Sequence, residues 1–237
     1  MLKFIKKTKS DALILMILGI VIGSFMVNCT HKDEILITKG PVINRGSERV
    51  AYNSSTPSST AFDKTHGNVN WETVYLGSTA ILTGRFDKFG FNTFNFAENN
   101  KDSINFDAWV YVNSVNTSEP GRDKGCLQGT FGVDTSMTTA VANVAKLVSK
   151  SVEYSTTDAG YIVKCDFTFH GVTKEVTGKL KYMGKTQTTS GTPPVTKDVL
   201  GFSFDFQFLA KTDYLLVSNN IADNVTIKCN AIFRRTL

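Results

Sequence analysis

Few residues in this chain are suited to chemistry. His170 stands in Phe169-His170-Gly171-Val172-Thr173-Lys174, where a strand-like run meets a glycine. An imidazole there could be a base, a metal ligand or the corner of a hairpin. A base needs a partner within hydrogen-bond reach, and zinc needs several His, Cys or carboxylate ligands together. The other histidines, His31 and His66, lie far along the chain and none has a partner at ligand spacing. No metal or cofactor is therefore expected. The run from Gly178 to Gly184-Lys185-Thr186 has one residue too many between its glycines for a phosphate-cradling loop, and no G-x-S-x-G elbow occurs. Asp123 beside Arg122 reads as a local ion pair, the commoner fate of such neighbours. No catalytic residue is expected, and an enzyme on an apolar substrate ranks as the weakest reading. His170 falls on the phase opposite Phe167 and Phe169, so it reads as a hairpin marker pointing outward or sitting in the turn.

The elements that would hold any site are more legible. Among 237 residues there are 17 Phe but 5 Pro, and Phe, Val, Ile and Thr favour a pleated, half-buried surface. Alternation puts Val69, Trp71, Thr73 and Tyr75 on one face, then Ile104, Phe106, Ala108, Val110 and Val112. It recurs in Tyr161 to Phe169, in Phe202, Phe204, Phe206 and Phe208, and in Val225 to Phe233. Cys165 and Cys229 share those apolar phases and read as small buried hydrophobes. Cys126, Cys165 and Cys229 show no C-x-x-C spacing, and their disulfide state stays open. The stretch 136–150 is ambiguous: Met137, Val141, Val144 and Val148 fit helical spacing, yet its second half could begin a strand. Residues 186–198, with Pro193-Pro194, read as a long polar loop. The expected fold is all-β, a single closed antiparallel barrel of about eight strands with one short helical segment, because closure removes exposed edges. Its phenylalanine faces could be a packed core or the wall of an apolar cavity.

The first ten residues carry Lys3, Lys6, Lys7 and Lys9, followed by the uncharged run 12–27, then Asn28-Cys29. A basic region and a short apolar region are the parts of an export signal. The run resembles a bacterial lipoprotein signal, which implies lipid attachment at Cys29, although Asn28 departs from the small residue usual there; an uncleaved anchor is the alternative. Residues 1–28 thus read as signal or anchor, 29–60 as a flexible tether containing Asn53-Ser54-Ser55-Thr56-Pro57, and 61–237 as the folded domain. Either reading puts the domain outside the cytoplasm, on the periplasmic or outer-surface side of the cell envelope. Of the formal +5 charge, four lysines belong to the leading segment; no basic stripe remains, which argues against nucleic acid.

Taken in order, Phe62 to Phe94, Trp109 to Leu127, Tyr161 to Gly184 and Gly201 to Leu216 resemble the signature segments of the YceI-like family. The resemblance includes Ser114 to Thr117 with Arg122-Asp123, and His170 to Lys174 with Val176. It implies a lipocalin-like barrel holding a polyisoprenoid chain. Lys124-Gly125-Cys126-Leu127, Tyr75 and Lys211-Thr212-Asp213-Tyr214 depart from the family pattern, which bears on the ligand more than on the fold. With the resemblance, the cavity reading leads, since each buried CH₂ of a hydrocarbon chain is worth about 0.8 kcal/mol. The expected lining is Trp71, Phe86, Phe106, Phe167, Phe169, Phe202, Phe204 and Phe206. The expected function is binding of a polyisoprenoid or similar long-chain amphiphile by an anchored envelope protein; a filled barrel acting as a structural or surface-interaction protein is the alternative. Arg85 is a candidate for a head group at the mouth.

Overall fold

The structure is a computed structural model, described here for residues 46–56, 58–76, 79–126, 131–133 and 143–237. The leading segment, Cys29 and the tether as far as residue 45 lie outside the described residues.

One antiparallel sheet makes up the domain. Its strands are β1 (Arg49–Asn53), β2 (Thr60–Phe62), β3 (Asn68–Tyr75), β4 (Ile81–Phe86), β5 (Phe89–Ala97) and β6 (Asn105–Tyr111). They continue as β7 (Val115–Asn116), β8 (Val144–Ser155), β9 (Gly160–Phe169), β10 (Val172–Ser190), β11 (Val195–Leu209) and β12 (Ile221–Thr236). Two of these pairs are halves of bent strands. Only Asp87 and Lys88 separate β4 from β5, and a 3-10 turn at Val112–Ser114 separates β6 from β7. Across the bend, Asp87 N–H donates to the Ser114 carbonyl and Tyr111 N–H to the Lys88 carbonyl, both at 2.9 Å. Counting each bent strand once, the pairings run from β3 through β4/β5, β6/β7, β8, β9, β10, β11 and β12 back to β3. That circuit has eight members, as the alternating faces suggest.

The strands pair further out than composition indicates. Before Asn70, at its start, β3 has no partner in β4, while β5 turns its free edge to β1 and the far end of β12 pairs with β2. The sheet therefore starts at Arg49, inside the stretch assigned to the tether. Only Val50 and Tyr52 alternate there, too short a pattern to stand out from polar neighbours. The supposed loop 186–198 is also mostly strand. Thr188 pairs with Lys197 and Thr189 with Thr196, leaving 191–194 as the turn. Threonine is polar but β-branched, and it suits an outer strand surface.

The ambiguous 136–150 stretch resolves in its second half into β8, with Ala145 and Leu147 inward and Val148 exposed. Its first half, 136–142, is outside the described residues. A helix occurs elsewhere: α1 (Pro120–Gly125) has proline in its first turn, and Glu119 caps it by accepting from Gly121 N–H at 3.1 Å and from Arg122 N–H. Arg122 and Asp123 do not pair with each other. The Arg122 guanidinium donates to the Thr117 carbonyl at 2.6 Å, and the Asp123 carboxylate accepts from the Thr117 N–H and hydroxyl. Thr117 is the common anchor, and the two side chains fasten α1 to β7.

His170 and Gly171 both have positive φ, +51° and +73°, as a two-residue hairpin between right-twisted strands requires. His170 does not point into solvent, however. It is half-buried, its ring lies 4.5 Å from that of Phe169, and Nε2 hydrogen-bonds the Phe131 carbonyl. The alternation placed it off the inner phase, but a left-handed residue no longer obeys the strand's phase.

Candidate ligand cavity

Inward side chains are mostly aromatic, and they leave a cavity of about 100 Å³ walled almost wholly by carbon. All eight residues of the expected lining stand on this wall. From β9 and β11, Phe167 meets Phe206 at 5.1 Å and Phe208 at 4.9 Å, and stacks on Phe169 at 6.1 Å between centroids. Phe204 meets Phe106 edge-on at 5.4 Å, and Phe202 meets Phe94 at 4.9 Å. These are the offset and edge-to-face contacts that aromatic quadrupoles favour. Trp71 and Phe86 converge from β3 and β4 on Phe131, at 5.2 and 6.0 Å.

Two glycines make this ring packing feasible. Gly84 faces Trp71 across the β3–β4 ladder, and a Cβ on it would lie 2.7 Å from the indole. Gly178 lies under Phe204, where a Cβ would sit 2.2 Å from the ring. In each case a bare backbone lets a large ring lie flat on the neighbouring strand. The Trp71 indole N–H has no hydrogen-bond partner among the described residues.

Sequence alternation missed Phe131. It belongs to no strand, so no period marks it. His170 was the available signal, because its ring fixes the Phe131 carbonyl and so helps hold that side chain at the end of the barrel. Tyr214 reaches the same end from the β11–β12 connection. It is 1% exposed, touches the rings of Phe167, Phe169 and Phe208, and donates its hydroxyl to the Phe167 carbonyl at 3.3 Å. At the side, where β3 parts from β5, Phe62 lies on Phe89 and Phe91 at 6.0 and 5.1 Å. Lys64 Nζ sits 5.9 Å from the centre of the Trp109 ring there. Asn68 and Trp109 also line the cavity on this side. Arg85, the head-group candidate, points away from the interior: it is exposed and pairs with Asp87 at 2.9 Å.

The opposite end is closed by Phe96, Tyr161, Tyr182 and Phe233, backed by a set of charges. Lys185 contacts Glu48 at 2.5 Å and Asp198 at 3.7 Å. Arg235 contacts Asp198 at 2.5 Å and Glu48 at 3.3 Å, and Gln187 donates to Asp198 at 3.0 Å. Two cations and two carboxylates thus balance in a place where Asp198 is 2% exposed along its side chain. Glu48 belongs to the stretch read as tether, so this cluster fastens the segment before β1 to β10, β11 and β12.

Among the described residues, no group of His, Cys, Asp and Glu has a metal-holding arrangement. Cys165 and Cys229 are free thiols. Burial pushes Cys165 and Cys229 up to about 12, so at neutral pH both carry their protons and are poor nucleophiles. His170 Nε2 is committed to a backbone carbonyl. What this interior can do is exclude water and accept apolar surface.

A YceI-like domain model matches residues 61–233. The chain belongs to the YceI-like family. The match spans the barrel from β2 to near the end of β12, leaving β1 and Glu48 outside it. A UPF0312 protein of Vibrio vulnificus (strain YJ016) is 29% identical over 122 residues, covering 52% of this chain and 60% of that protein. A UPF0312 protein of Vibrio campbellii is 29% identical over 119 residues, covering 50% of this chain and 59% of its own length. The alignments thus span about three-fifths of these relatives. Among solved structures, BcnA of Burkholderia cenocepacia superposes with a TM-score of 0.51 at 16% identity, covering 73% of this chain and 99% of that one. A polyisoprenoid binding domain from Saccharophagus degradans gives 0.48 at 16% identity, covering 76% and 99%. BcnA supports the fold of the YceI-like domain described above.

Proposed function

We propose that this YceI-like protein is an exported, membrane-anchored binding protein. It holds a polyisoprenoid or similar long-chain amphiphile within the ring-lined barrel and does not turn it over chemically. The observation that carries this reading is an interior cavity bounded by aromatic rings, with no nucleophile–base pair facing it among the described residues. Membership of the family supports it. A hydrocarbon chain needs such a wall and few polar contacts, because its binding free energy comes from area withdrawn from water. Attachment through Cys29 at the periplasmic or outer-surface side of the cell envelope is supported by the basic and apolar runs before it.

The cavity's size bears on how binding proceeds. About 100 Å³ is well below the roughly 300–1,000 Å³ usual for ligand pockets. A long chain therefore enters only if rings swing aside, exchanging ring–ring contacts for ring–chain contacts. The same number favours a second reading, a filled barrel serving as a structural or surface-interaction protein. Thermal unfolding with and without a detergent-dispersed prenyl alcohol separates the two. Ligand at about a hundred times its Kd should stabilise the domain by about 2.7 kcal/mol, seen as a rise in Tm over a matched straight-chain detergent control. An unchanged Tm favours the filled barrel.

A further inference from the structure

Solvent-facing apolar side chains collect at one end of the barrel. Tyr75, Leu76 and Ile81 stand where β3 leads to β4, and Leu215 and Val217 stand on the β11–β12 connection, 73% and 90% exposed. The two connections are neighbours: Tyr75 pairs with Ile221, and Leu76 N–H donates to the Asn220 carbonyl at 2.9 Å. The second connection is a held turn. Leu215 N–H donates to the Lys211 carbonyl and Leu216 N–H to the Ala210 carbonyl, both at 3.1 Å. Asp223 accepts from the N–H groups of Lys211 and Thr212 and from the Thr212 hydroxyl. Within that turn Leu215 takes φ +57°, a left-handed conformation uncommon for a leucine, and displays its side chain outward. Tyr214 and Leu216, on either side of it, are buried at 1% and 4% exposure.

The β3–β4 connection carries no charge, and the β11–β12 connection carries Lys211 and Asp213 at its start but none from Tyr214 onward. From Thr73 to Gly84 and from Tyr214 to Ala222 there is no Asp, Glu, Lys, Arg or His, in a chain that is 20% charged. Apolar side chains and an interfacial tyrosine without charge suit the boundary between head groups and acyl chains, where a charge is costly. Chain length favours the same occupant. Residues 28–45 link the apolar run 12–27 to the described domain and reach about 65 Å at most. Anchoring at Cys29, as proposed above, would keep the domain within about that distance of a bilayer, where even a weak contact is populated.

We propose that this end of the barrel is a bilayer-docking surface, with Leu215, Val217, Leu76 and Ile81 entering the acyl-chain boundary and Tyr75 at head-group level. It rests on the anchoring read above only for the tether's help. Because Tyr214 touches Phe167, Phe169 and Phe208, the docked turn sets the end of the cavity against the source of an apolar ligand.

The test uses the full chain with phosphatidylcholine vesicles. Val217→Trp is compared with Met183→Trp, an exposed site (59%) on β10 near Gly184, each after subtraction of the unsubstituted protein's emission. With brominated phosphatidylcholine, the added emission at 217 should be mostly quenched and that at 183 retained. Adding Leu215→Asp beside Val217→Trp should abolish the quenching while vesicle flotation and Tm stay unchanged. Flotation without quenching at 217 overturns the docking surface and leaves the anchor standing; no flotation overturns both. A blue-shifted, bromine-insensitive emission at 217 with a doubled mass in the absence of vesicles overturns it in favour of a second copy.

Discussion

Asp198→Ala is expected to destabilise the barrel by about 3–5 kcal/mol, measured as a lower urea midpoint at unchanged slope. The carboxylate lost is almost wholly buried and contacts Lys185 and Arg235. Without it, a lysine that is itself 9% exposed keeps one carboxylate partner, Glu48, shared with Arg235. Removing both charges of one contact, as in Asp198→Asn with Lys185→Met, should cost less, since what hurts is a buried charge left unbalanced. The pH dependence has a defined sign. Burial alone would raise the Asp198 carboxyl; hydrogen bonds from Gln187 and Arg235, with the charges of Lys185 and Arg235, outweigh it and hold the group below the usual carboxylate range. Its contribution is therefore complete above the unfolded value, about 3.9, and is lost as pH falls through the lower folded value. The acid limb of stability should be shallower in Asp198→Asn than in the native chain.

Phe204→Ala is expected to cost a similar amount, about 3–5 kcal/mol. Phe204 is 8% exposed, lies on Gly178, and meets Phe106 at 5.4 Å and Phe206 at 5.9 Å. Its removal takes one ring neighbour from each of them and enlarges the apolar space. The two functional readings then diverge. If the barrel binds long-chain lipid, the enlarged space admits prenyl alcohol more readily, and ligand should raise Tm further in the variant than in the native chain. If the barrel is merely filled, the loss stands with or without ligand.

The barrel was legible because nearly every inward position on its long strands obeys a two-residue period, from Val69 to Phe233. Expected lining residues such as Trp71, Phe106 and Phe204 all stand on the cavity wall for the same reason. What escaped was whatever lacks a period. Phe131 lies between elements, β1 has two inward residues, and the β10–β11 extension presents threonines rather than apolar side chains. His170 was found by its neighbours and sits in the hairpin turn, one of its two readings, but its bond to a carbonyl 39 positions away left no local signal. The cluster of Glu48, Lys185, Asp198 and Arg235 left no trace for a related reason. Its members come from four separate stretches, and nothing local in any of them calls for the others.

Binding itself is tested most directly by native mass spectrometry of the full chain, isolated from membranes of its native host in a mild detergent. Bound long-chain lipid should add its mass to the intact protein and leave as a neutral or singly charged species on collisional activation, with a smaller bound fraction after Phe202→Asp. A spectrum of bare protein that remains folded, gains no mass on incubation with prenyl lipid and does not rise in Tm would contradict the account.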